Sequence, residues 1–145
     1  MSHPAILEEL EAFGEKTLIV DPAQIVDLSK HLKGEEKYIR LSAVTAVDWH
    51  PAAPRFEVIY HLHAIERNQR LRLKARLTAE SAEIESVTGV WRAADWYERE
   101  VFDMFGITFR NHPNLQRILM PVDWEGYPLR KDYPVHGYKY SYPNE

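Results

Sequence analysis

The sequence predicts an α+β fold in two layers: a small mixed or antiparallel sheet, helices on one face of it, and an extended C-terminal arm. Three observations predict it. Between residues 38 and 77 the apolar residues recur with period two, and on either side the spacing turns helical. The strands in that stretch carry one greasy face and one basic face, so helices must cover the first. Beyond Pro121 the chain combines repeated prolines with many aromatic residues, which fits neither a regular helix nor a disordered tail.

Ile6, Leu7, Leu10 and Phe13 fall at helical spacing just after Pro4, and Gly14 can end that helix. Lys16 to Val20 is a short β-like run. Asp21-Pro22-Ala23-Gln24 then starts a second helix: Asp21 can cap free amides, Pro22 needs none, and Gln24 can reach back. Ile25, Val26, Leu28 and Leu32 give it a buried face, and Gly34 stops it. From Tyr38 the first strand alternates Ile39, Leu41, Ala43 and Val47 with Arg40 and Ser42. Phe56, Val58, Tyr60 and Leu62 alternate in the next strand, and Leu71, Leu73, Ala75 and Leu77 in the one after it. If the polar turn around Arg67–Gln69 is a tight two-residue hairpin, it sets even positions of the earlier of these two strands against odd positions of the later, apolar against apolar. An acidic linker (Glu80, Glu83, Glu85) leads to a helix over Ala93–Phe105, capped by Asp95 if it starts later and stopped by Gly106. Asn111-His112-Pro113 reads as the start of a short helix ending before Pro121. The expected organisation is a single domain over residues 1–120 and an arm over 121–145 that lies on a neighbouring surface.

Composition excludes much. The chain has 145 residues and no cysteine, which rules out disulfides, thiolate nucleophiles and iron–sulfur ligation by cysteine. Its 18 Lys and Arg stand against 22 Asp and Glu, a formal charge of -4 that disfavours nucleic acid and anionic lipid as whole-protein partners. No secretory signal and no apolar run of membrane-spanning length is present, so the expectation is a soluble, cytosol-facing protein that meets a membrane only through a partner.

The densest information lies in Glu98-Arg99-Glu100-Val101-Phe102-Asp103-Met104-Phe105-Gly106-Ile107, followed by His112 and then Arg117-Ile118-Leu119. Further on comes Glu125-Gly126-Tyr127-Pro128-Leu129-Arg130-Lys131-Asp132-Tyr133-Pro134. These two blocks, in this order, resemble the signatures of the respiratory complex I family of C subunits, the 30 kDa subunit of NADH:quinone oxidoreductase. The resemblance covers residues 91–134; Gln116 departs from it, standing where the family carries a basic residue or proline. It implies a non-catalytic structural subunit that braces the quinone-reducing module of the peripheral arm, on the cytoplasmic side of the bacterial inner membrane. It also implies contact with the D subunit and the other quinone-module subunits, no cofactor in this chain, and flavin and iron–sulfur clusters in its partners. The equivalent module of a membrane-bound hydrogenase or another donor:quinone complex is the alternative.

The residues then expected at a partner interface are Glu98, Arg99, Glu100, Asp103, His112, Arg117, Trp124, Tyr127, Arg130, Lys131, Asp132 and Tyr133. On the helix Asp95, Arg99 and Asp103 follow one another at intervals of four, so one arginine can bridge two carboxylates. Arginine flanked by tyrosine and tryptophan is interface composition. Removal of the arm at Pro121 is therefore expected to release the subunit and leave its domain folded. No catalytic, cofactor or metal residue is assigned. His61 and His63 share a strand face but face Arg72, Lys74 and Arg76, which repel a cation. That same basic face has no interleaved aromatics for stacking nucleic-acid bases.

Overall fold

A computed structural model describes residues 3–134. Its elements run β1 (Ile6–Ala12), β2 (Glu15–Val20), a short 3-10 turn (Pro22–Gln24), α1 (Ile25–Gly34), β3 (Arg40–Asp48), β4 (Phe56–Ala64), β5 (Gln69–Leu77), β6 (Glu83–Glu85), α2 (Ala94–Phe105) and β7 (Thr108–Arg110). Five strands form one sheet in the order β1-β2-β5-β4-β3, and β6 pairs with β7 in a separate ribbon. The sheet is mixed: β2 runs parallel to β5, while the other pairings are antiparallel.

The β4–β5 hairpin has the register its alternation demands. Val58 lies opposite Ala75, Tyr60 opposite Leu73, and Leu62 opposite Leu71, all buried. The connection is the longer loop 65–68 rather than a tight turn. α1 and α2 bury Ile25, Leu28, Leu32, Ala94, Val101 and Phe105 in the same cluster, so both helices cover one sheet face. A fully buried leucine or valine contributes about 1.5–3 kcal/mol. This face is the principal store of stability. α1 begins as expected: Asp21 Oδ1 accepts from the Ala23 amide at 3.0 Å, and Gln24 Nε2 reaches back to Asp21 Oδ2 at 3.2 Å.

Four expectations are corrected. Residues 6–12 form an edge strand, not a helix. Pairing with β2 satisfies that backbone and leaves Leu7 66% and Phe13 106% exposed instead of forming a buried helical stripe. In β3 a register shift between Leu41 and Ala43 moves Val44 into the core and leaves Ala43 on the open face. The acidic linker contains β6, whose pairing with β7 brackets α2. Asp95 lies within the first turn of α2, whose cap residue Ala93 makes no side-chain cap bond.

Between β6 and α2 the chain is pinned from inside. Trp91 is buried, and its indole N–H donates to the Tyr38 carbonyl at 3.1 Å. Glu98, fully buried on α2, accepts from Ser86 Oγ at 2.6 Å and from the Val87 amide at 2.9 Å. Glu98 thereby ties α2 to the 86–87 segment that leads into it.

Candidate functional site: a clasp around Asp103

α2 ends at Gly106, which adopts the left-handed conformation (φ 75°) that glycine takes without strain, and its amide donates to the Phe102 carbonyl at 2.8 Å. One turn earlier sits Asp103, with 0% of its surface exposed. Its carboxylate accepts from Arg117 Nε and from three successive amides: Ile118 at 3.1 Å, Leu119 at 2.6 Å and Met120 at 2.9 Å. Burial alone would raise the Asp103 carboxyl, but Arg117 and these amides outweigh it and hold the group below the usual carboxylate range. No helix forms over residues 112–120, contrary to expectation. The amides a last turn would need are turned onto Asp103 instead.

Arg117 closes the loop in the other direction. Nη1 donates to the Trp124 carbonyl and Nη2 to the Gly126 carbonyl, each at 2.8 Å, while Nη2 also reaches the Asp103 carbonyl at 2.9 Å. The described part of the arm, 121–134, then lies back along its own domain. The Leu129 amide donates to the Met104 carbonyl at 3.0 Å, and Arg130 Nε to the Phe105 carbonyl at 2.6 Å. The Arg130 guanidinium stands over the rings of Phe56 and Tyr127, 5.2 and 4.8 Å from their centroids. Tyr127 packs so closely on Gly106 that a methyl group there would sit 2.6 Å from its ring.

A second ion cluster fastens the arm to the sheet. Asp48 is buried at the end of β3; Arg55 contacts it at 2.9 Å and Asp132 at 2.7 Å. The Lys131 amide donates to Asp48 Oδ2 at 2.8 Å. Burial opposes ionisation of Asp48, and Arg55 with the Lys131 and His50 amides overcomes it, keeping the carboxyl well below its usual range. Trp124 Nε1 donates to the Tyr133 hydroxyl at 3.0 Å, tying the arm to itself.

Set against expectation, Asp103 and Arg117 belong to one clasp, as do Tyr127, Arg130, Lys131 and Asp132 at its outer end. Glu98 and Asp103 are too deeply buried to touch a partner directly. Arg99 bridges neither Asp95 nor Asp103 among the described residues. It donates to the Gln116 carbonyl at 3.3 Å and lies over Trp96. The unusual Gln116 is thus used through its backbone, which any residue supplies. Glu100 is half-buried at a groove between β3 and α2. His112 Nδ1 accepts from the Asn114 amide at 2.9 Å, which leaves Nε2 to donate to the Asp95 carbonyl at 3.1 Å. Residues 135–145, with Tyr138, Tyr140 and Tyr142, lie outside the described residues.

Sequence reasoning missed Asp48, Arg55 and Ser86. An aspartate at an inward position of a strand was the available signal for the first. It also missed the exposed apolar side chains around the clasp: Leu119 at 52%, Val122 at 88% and Leu129 at 55%, beside Trp96 at 54%. Among the described residues no group of three or more His, Asp or Glu could hold a metal ion, and no helix is long and apolar enough to cross a membrane.

Glu98 carries a pH prediction. Burial, outweighing the bonds from Ser86 and Val87, pushes its carboxyl up from 4.5 to about 7, and nearby Asp95 adds to the rise. The folded chain therefore holds this proton more tightly than the unfolded one. Its contribution favours folding below pH 4.5 and is lost as pH rises toward about 7. Asp103 and Asp48 contribute with the opposite sign, losing stability only as pH falls through the acid range. In urea melts from pH 5 to 8, Glu98→Gln should remove a slope of up to about 1.4 kcal/mol per pH unit. An identical slope in the variant would contradict the assignment.

The fold places the chain in a class, the α+β modules found in respiratory membrane complexes. A chain of the membrane-bound sulfane sulfur reductase, an archaeal respiratory membrane complex, superposes with a TM-score of 0.78 at 29% identity, over 91% of this chain and 79% of that one. The trypsin-resistant fragment (1-134) of Nqo5 superposes with a TM-score of 0.67 at 25% identity, over 72% of this chain and 86% of that one. The chain belongs to the family of the 30 kDa subunit of respiratory-chain NADH dehydrogenase, whose model matches residues 18–139. The C subunit of NADH-quinone oxidoreductase from Citrifermentans bemidjiense is 50% identical over 133 residues, 92% of this chain and 83% of that protein. Its counterpart from Geobacter sulfurreducens is 46% identical over 134 residues, 92% of this chain and 83% of that protein.

Proposed function

We propose that this chain serves as the C subunit of an NADH:quinone oxidoreductase, a brace without an active site of its own that holds the quinone-reducing module in a fixed geometry. In this reading it carries no cofactor. Flavin and iron–sulfur clusters reside in its partners, the D subunit is the chief neighbour, and the complex holds it on the cytoplasmic face of the membrane. The clasp is the observation that carries the reading. The densest set of buried charges is spent on ordering loop and arm, and around it the chain leaves large apolar side chains in water. An ordered surface of this kind suits a partner that covers it.

Leu119→Asp and Val122→Asp test it. Both positions are exposed, so the isolated variants should keep their stability within about 0.5 kcal/mol. Each should nevertheless reduce the amount of tagged chain recovered with the other subunits from solubilised membranes. Full recovery of the double variant would count against this surface as the contact.

The superposition on the sulfane sulfur reductase chain supports a second reading, the same brace in a complex with another electron donor. The donor that reduces quinone through the purified complex distinguishes the two.

A further inference from the structure

The sheet face turned away from the helices has a chemistry that the clasp does not use. In register across it lie Arg40, His63 and Arg70, and in the next row Ala43, His61 and Arg72. Together with Glu15 and Lys16 they line a shallow depression of about 390 Å³. In the row beyond, half-buried Ile59 lies between Thr45 and Lys74, and Ile19, across Lys74, is buried at 5% exposure. At the far end the charges are already matched: Glu57, 3% exposed, meets Lys74 at 3.8 Å and Arg76 at 3.3 Å. Arg72 reaches Glu15 at 3.2 Å. Among the described residues Arg40 and Arg70 are in no ion pair, although the chain as a whole carries a charge of -4.

We infer that the depression lined by Arg40, His61, His63, Arg70 and Arg72 seats a carboxylate-bearing segment of a neighbouring subunit, an apolar side chain of which lies on Ile59. The inference rests on the subunit reading and adds to it a second surface, on the face opposite the helices. Two guanidiniums without a carboxylate, flanking the His63 ring in register, form an anion seat; half-buried Ile59 in the row beyond suits a polypeptide better than a small anion. An anionic membrane fits poorly, because it would also meet Glu11, which lies beside Arg70 but outside the depression. Burial and the charge of Arg72 hold the His61 proton off. A seated carboxylate would draw that proton back, so occupancy should strengthen as pH falls.

Zero-length carbodiimide coupling in the assembled complex tests this, using Arg40→Lys and Arg70→Lys so that an amine replaces each guanidinium. The expected result is an amide bond from an introduced lysine to an Asp or Glu of another subunit, found by mass spectrometry. In addition, Arg40→Glu with Arg70→Glu should weaken retention of the chain about tenfold at low salt. If the chain is recovered with its partners but no such amide forms, the seat is overturned and the subunit reading stands. If the chain is recovered alone, both fall. Binding of the isolated chain to phosphatidylglycerol vesicles at physiological salt, abolished by the double reversal, would overturn the seat in favour of a membrane surface.

Discussion

Asp103→Ala should destabilise this protein more than any other single replacement in the clasp, by about 3–5 kcal/mol. The carboxylate is fully buried and accepts from Arg117 and from the amides of Ile118, Leu119 and Met120. Alanine leaves a guanidinium with only 11% of its side chain exposed facing no counter-charge. It also leaves three amides that must find water or another acceptor, each at a cost of about 1–3 kcal/mol if none is reached. Some relaxation is certain, because the loop 112–120 is not a helix and can open. At about 2–4 °C per kcal/mol for a chain of this size, the melting temperature should fall by roughly 10 °C. Asp103→Asn keeps one acceptor oxygen and should melt between the alanine variant and the parent. Arg117→Ala removes the other half of the pair, and the double variant should cost less than the sum of the singles. A melting curve for Asp103→Ala within a degree or two of the parent would show that the buried pair is not what holds the loop.

Ending the chain at Met120 should destabilise the domain rather than merely free it from a partner. The sequence alone suggested the opposite. In the structure the lost segment supplies the Trp124 and Gly126 carbonyls to Arg117, the Lys131 amide to Asp48 and the Asp132 carboxylate to Arg55. Its loss also lifts Tyr127 and Arg130 off Gly106 and Phe56. Hydrogen bonds to charged groups contribute about 1.5–3 kcal/mol each, and water replaces part of that where the site opens. A net loss of about 3 kcal/mol or more is expected, read as an earlier urea midpoint and faster proteolysis within β3 and α2. An unchanged midpoint would return the arm to the role of a detachable tail.

How far the sequence foretold these arrangements depended on which force decided each one. The β4–β5 hairpin was legible because every second residue from Phe56 to Leu77 agrees with one pairing, and a slip would turn each side chain outward. The start of α1 was legible because Asp21, Pro22 and Gln24 each act locally. β1 was misread because Ile6, Leu10 and Phe13 also fit a helical period, and only the need to complete a sheet edge decides against it. The shift that buries Val44 has no compositional signature. In the clasp, Arg99 stood at the right interval to pair with Asp103, so the local rule pointed to it. Arg117 prevails because burial favours the partner that can also satisfy two carbonyls of the arm, a contact that no helical spacing reveals. The two signature blocks were recognised as a unit, yet their outward look concealed an inward use. Asp103 and Arg117 hold each other, Arg99 and Arg130 bond to carbonyls, Asp132 pairs with Arg55 outside the blocks, and Leu119, Val122 and Leu129 are left exposed around them.

The brace is tested most directly by taking the chain out of its complex and measuring two activities on the same membranes. Quinone reduction by NADH should collapse when the chain is depleted and return when purified chain is added back. NADH oxidation by ferricyanide, which on the proposed placement of the flavin in a partner subunit does not require the brace, should persist throughout. Undiminished quinone reduction without the chain, or turnover by the chain alone, would contradict the account.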